Sequence, residues 1–104
     1  MDRIEKIKEF LKKTPDDSFL LHALALEYIK LGDELKARQL FEGILARDAG
    51  YIGSYYHLGK LLERIGENDL AIAWYEKGIE QASKAKDLHA LGELRAAYED
   101  ITDR

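Results

Sequence analysis

The chain repeats itself at an interval of 34 residues. Sliding it by that distance sets Leu24 on Leu58, Ala25 on Gly59, Tyr28 on Leu62, Gly32 on Gly66, Ala37 on Ala71, Phe41 on Tyr75 and Glu42 on Glu76. A fixed period of this length belongs to architectures in which one small unit, unable to bury its apolar face alone, stacks on copies of itself. The nature of that unit follows from the spacing of apolar residues. Strict alternation over β-branched and aromatic residues is absent, and a single proline leaves few breaks, so strands have no support and the chain is expected to be all-α.

Reading at 3.6-residue periodicity predicts a first helix over about 2–13, with Ile4, Ile7, Phe10 and Leu11 on one face, stopped at Thr14-Pro15. Asp16, Asp17 or Ser18 caps a second, which buries Leu20, Leu21, Leu24, Ala25, Tyr28 and Leu31 and ends at Gly32, a residue that tolerates the left-handed conformation. A third runs over about 34–47, a fourth over 53–65 to Gly66, a fifth over 69–84 and a last over 88–103. The last has Leu88, Leu91, Leu94, Tyr98 and Ile101 on one side and charges on the other, as expected of a capping helix. Small residues at 25, 37, 59 and 71 let paired helices approach to about 8 to 10 Å, with Phe41 and Tyr75 filling the space beside them.

Tyr55, Leu58, Gly59, Leu62, Gly66, Ala71 and Tyr75 resemble the tetratricopeptide repeat, with its pattern W-x2-L-G-x2-Y, then A-x3-F, then P. Leu62 replaces the tyrosine of that pattern. The preceding repeat has Leu21 for the tryptophan, Ala25 for the glycine and Ala49 for the closing proline, and keeps Leu24, Tyr28, Gly32, Ala37 and Phe41. Pro15 falls where an earlier repeat would close. Residues 1–15 are therefore expected to be a degenerate half-repeat, 18–51 and 52–85 two full repeats, and 86–104 a capping helix, all within one domain. The resemblance implies antiparallel helix pairs stacked as a short right-handed superhelix, an α-solenoid.

Catalytic chemistry finds little footing. With no cysteine there is neither a disulfide framework nor a thiolate site, which favours a reducing cytoplasm. His22, His57 and His89 would have to bring separate helices together within about 2.1 Å of one ion, so no metal is expected. Gly59 and Gly66 are explained by close packing and a helix end, so they do not form a phosphate loop. Ser18, Ser54 and Ser83 lack a neighbouring histidine and acid at triad spacing. Most carboxylates, Glu63 among them, read as members of solvated helical faces. No enzyme activity and no cofactor is expected. A net charge of −4, from 20 acidic and 16 basic residues, disfavours nucleic acid, and no apolar run is long enough to span a membrane.

Recognition of a protein remains. In a helical-repeat superhelix the first helix of each pair lines the concave side. The expected groove is built from Phe19, His22 and Leu26, then Tyr56, Lys60 and Glu63, then His89 and Glu93. Phe19, Leu26 and Tyr56 supply apolar anchors for a peptide or helix, and the charged groups fix its orientation. A second reading stays open, in which the same surface closes a homodimer or packs in a larger assembly. Family members that clamp the C-terminal carboxylate of heat-shock chaperones carry lysine, asparagine, asparagine, lysine and arginine where this chain has His22, Leu26, Lys60, His89 and Glu93. Leu26 cannot hydrogen-bond and Glu93 repels a carboxylate, so that ligand is not expected.

Overall fold

Four aspartates start helices in this chain. Asp2, Asp17, Asp33 and Asp87 each turn a side-chain oxygen onto the backbone N–H three residues on, at 2.8, 3.0, 3.2 and 3.1 Å. Each bond satisfies one of the donors that a helix leaves unpaired at its first turn. The computed structural model describes residues 2–104, and the helices it contains are α1 (Arg3–Lys13), α2 (Ser18–Lys30), α3 (Glu34–Arg47), α4 (Gly53–Arg64), α5 (Asn68–Ala85) and α6 (Leu88–Thr102). No strand occurs among the described residues. Predicted and observed ends agree to within a residue or so, because the stop signals are local.

Two of those stops are glycines in the left-handed region, Gly32 at φ 79° and Gly66 at φ 82°. The turn they make aims the next N–H back into the helix: Asp33 donates to the Tyr28 carbonyl at 2.9 Å, and Glu67 to that of Leu62 at 2.8 Å. Asp33 thus closes α2 with its backbone and opens α3 with its side chain. Asp87 does the same between α5 and α6, donating to the Ala82 carbonyl at 3.0 Å, although the left-handed residue before it is Lys86 at φ 57°.

The chain divides into two compact units, one ending at Asp48 and the other spanning Ala49–Arg104. In the first, α2 packs against both α1 and α3. Ala25, Ala37 and Phe41 are fully buried there, and Ile7, Leu24 and Tyr28 nearly so. Two polar ties hold the end of α3 to the start of α2: Ser18 donates to Asp48 at 3.0 Å, and Arg47 lies 3.6 Å from Asp16. Arg3, which stands where the repeat pattern has a small alanine, pairs with Glu27 of α2 at 3.2 Å.

In the second unit α4, α5 and α6 all pack on one another. Tyr75, Leu58, Leu62 and Ala71 are fully buried, with Leu94, Ala97 and Ile101 of α6 close behind. Two glycines set the helix spacing. A Cβ on Gly59 would stand 2.1 Å from the Tyr75 ring, and one on Gly78 would stand 2.7 Å from the Cβ of Tyr55 and 3.1 Å from Leu94. Gly59 was legible from the repeat pattern. Gly78 was not, since the corresponding position of the first repeat is Ile44.

Candidate functional site

Phe19, His22 and Leu26 follow one another at helical spacing along α2 in the first unit. Phe19 is 69% exposed, whereas His22 and Leu26 are half-buried. His22 presents itself edge-on to the buried Phe41 ring, 5.4 Å between centres, which fixes its imidazole against the core. No helix of the first unit covers Phe19.

Tyr56, Lys60 and Glu63 form the corresponding row on α4 in the second unit. The Lys60 ammonium lies 5.8 Å from the Tyr56 ring centre and 3.8 Å from Glu63, so the aromatic face and the carboxylate together hold it. Tyr56 also meets His57 edge-on at 5.7 Å. Glu63 departs from the solvated-face expectation. Its side chain is only 9% exposed and accepts from the Tyr75 hydroxyl and from Arg104 at 3.0 Å, while Arg104 also donates to Asp100 at 2.9 Å. Burial first, and then the hydrogen bond to Glu63, push the Tyr75 hydroxyl far above its ordinary value, so it stays a proton donor.

His89 and Glu93 are exposed on α6. Glu93 is near enough to His57 to favour its protonated form, but burial outweighs it, with Arg64 adding to the downward shift, and the imidazole is held below its ordinary value. Two structural facts thus join the expected residues. The Tyr56, Lys60 and Glu63 row is one connected polar cluster, and Arg104 and Tyr75 belong to it although neither was singled out as a site residue. The signal for Tyr75 lies in the repeat: where the first repeat has Ile29 and Phe41, the second has Glu63 and Tyr75. Both positions turn polar together, as a hydrogen-bonded pair requires.

Trp74, the counterpart of Leu40 one repeat earlier, is half-buried, tilted against Tyr55 at 6.0 Å and under the Lys77 ammonium at 4.6 Å. Among the described residues no three of His, Cys, Asp and Glu converge where a metal ion could be held. No helix among them is long and apolar enough to cross a membrane.

Comparison with known proteins matches residues 52–84 to the tetratricopeptide repeat model. The crystal structure of a tetratricopeptide repeat domain protein from Salinibacter ruber superposes with a TM-score of 0.81 at 40% identity, covering 84% of this chain and 97% of that one. The chain belongs to the tetratricopeptide repeat family. A solution NMR structure of a tetratricopeptide repeat domain protein from the same organism agrees, with a TM-score of 0.80 at 41% identity over 84% of this chain and 88% of that one. The crystal structure of MamA shares the fold at 22% identity, with a TM-score of 0.71 over 96% of this chain and 57% of that one. No curated protein matches the chain. As a tetratricopeptide repeat protein it is an all-α helical-repeat solenoid, a fold that generally serves as a non-catalytic protein-interaction scaffold.

Proposed function

We propose that the chain is a non-catalytic module that takes a peptide or helix of a partner protein on the groove-lining faces of its repeats, 18–51 and 52–85, with 1–15 and 86–104 flanking them. The observation that carries this reading is Phe19, a large apolar side chain 69% exposed at the head of a row that continues through His22 and Leu26. Aromatic anchors of this kind supply most of the energy of a small interface, and neighbouring polar groups set orientation. In the second unit Tyr56 is the apolar anchor, Lys60 the orienting cation, and Glu63 the group that holds Lys60. His89 and Glu93 form the rim. A chain without cysteine suits work in the reducing cytoplasm.

The same exposed Phe19 is also what a homodimer or a packed assembly would cover, and sedimentation separates the two. A chain that stays monomeric from low to high micromolar concentration supports the open face. A dimer that persists at low micromolar concentration and is lost in Phe19→Ser supports self-association through that face.

A further inference from the structure

The outer face of α6 carries the framework of a repeat with nothing packed on it. Leu88-x2-Leu91-Gly92 copies Tyr55-x2-Leu58-Gly59 of α4, 33 residues on. In α4 those residues are buried because α5 lies over them: the Tyr75 ring fills the space beside Gly59, and Gly78 comes up against Tyr55. In α6 the same positions are open. Leu88 is 77% exposed, Leu91 is half-buried, and a Cβ on Gly92 would meet nothing within 4 Å. The helix packs on α4 and α5 through another side, that of Leu94, Ala97 and Ile101. Among the described residues, then, α6 is the first helix of a repeat without its second.

The converse holds for α1. It rests on α2 with Ile7 buried, while Phe10 is 63% exposed. Phe10 stands one repeat before Ile44 and two before Gly78, and both of those are buried. Gly78 shows what this position meets in a complete repeat, the residue that corresponds to Leu88. The two open faces also differ in charge. Five basic residues of α1 stand against two acidic ones, and Lys6 and Lys13, on either side of Phe10, are exposed with no ion pair among the described residues. In α6 three acidic residues stand against one basic, Arg95, and the exposed Glu99 lies two turns beyond Gly92 on the same side.

We infer that α1 of a second copy of this chain docks on the outer face of α6 and completes the repeat, with Phe10 lying on Leu88 and Gly92. Burial of the two large apolar side chains drives the contact. Opposite charge favours α1 on α6 over either helix on its own like. The contact is heterologous: each copy offers one face of each kind, so copies join head to tail. It shares no residue with the surface around Phe19. A single helix face falls short of the roughly 1,000 Å2 of a stable interface, which sets Kd at about 1 mM, above the micromolar range in which the Phe19 surface is assayed.

The test is an amide NMR dilution series of the full chain between about 0.05 and 2 mM, read together with translational diffusion. The expected result is shift changes confined to the outer faces of α1 and α6, and diffusion that slows as concentration rises. Phe10→Asp or Leu88→Asp alone should abolish both, with circular dichroism melting to check that each variant keeps the fold. Mixed together, the two variants should associate again, because each retains the face that the other has lost. With only Phe10→Asp isotope-labelled, its α6 should shift and its α1 should not; with only Leu88→Asp labelled, the reverse. Phe19→Ser should behave as the wild type does. Shifts that do not depend on concentration, a mixture that stays monomeric, or changes on both helices of one labelled variant would overturn the inference. So would loss of association in Phe19→Ser, since the contact would then belong to the Phe19 surface.

Discussion

Replacing Tyr75 by phenylalanine removes a single oxygen, yet that oxygen is the buried donor to a carboxylate that is itself 9% exposed. The substitution should cost about 1 to 3 kcal/mol in chemical denaturation, since Glu63 keeps its desolvation and loses a partner. Adding Glu63→Ile restores the residue types that the first repeat has at these two positions, Ile29 and Phe41. The double variant should therefore lose at least about 1 kcal/mol less than the sum of the two single ones. Strict additivity would mean that the hydroxyl and the carboxylate do not depend on each other. His57 offers a second test at this scale. Its folded-state value lies below the ordinary 6.5, so the unfolded chain takes up a proton more readily. The stabilisation this gives is complete above about pH 6.5 and is lost as pH falls through the lower folded-state value. His57→Gln should flatten the stability profile of the wild type on the acid side of neutrality, and an unchanged slope there would contradict the assignment.

Among the helices, the same glycine-to-alanine change should act with opposite signs. In α4, Gly59→Ala forces a methyl to within 2.1 Å of the Tyr75 ring and should destabilise by about 1 to 3 kcal/mol. In α6, a methyl on Gly92 meets nothing within 4 Å, and Gly92→Ala should stabilise by up to about 1 kcal/mol through helix propensity. Thermal melting of the two variants checks both. The helices themselves were legible in the sequence because their signals are local: aspartate before a helix, glycine after it, apolar residues at 3.6-residue spacing. What was less legible is which helix face is taken by a neighbour. Gly78 lacks a repeat equivalent to flag it, and one hydrogen-bond partner of the buried Glu63 is Arg104, 41 residues away in sequence. A charged residue at a position where the first repeat has Ile29 was the available hint.

For the molecule as a whole, the 34-residue period carries the fold, because a repeat states its packing rule twice and the copies check each other. Ala25 with Gly59 and Phe41 with Tyr75 are the same spatial demand met in two ways. Function is not written with that redundancy. The residues proposed to meet a partner are those where the copies differ, Phe19 against Gly53, His22 against Tyr56 and Leu26 against Lys60, so no second copy corroborates them. The central claim is that these faces recognise another protein, and affinity capture with quantitative mass spectrometry tests it most directly. Wild type is compared with a Tyr56→Ala, Lys60→Glu variant and with Lys84→Gln, an exposed change on α5, as the control. The account predicts partners retained by wild type and control and depleted at least about tenfold in the double variant, the loss expected when an aromatic anchor and its orienting charge go together. Recovery of the same partners at the same level by all three proteins would contradict it.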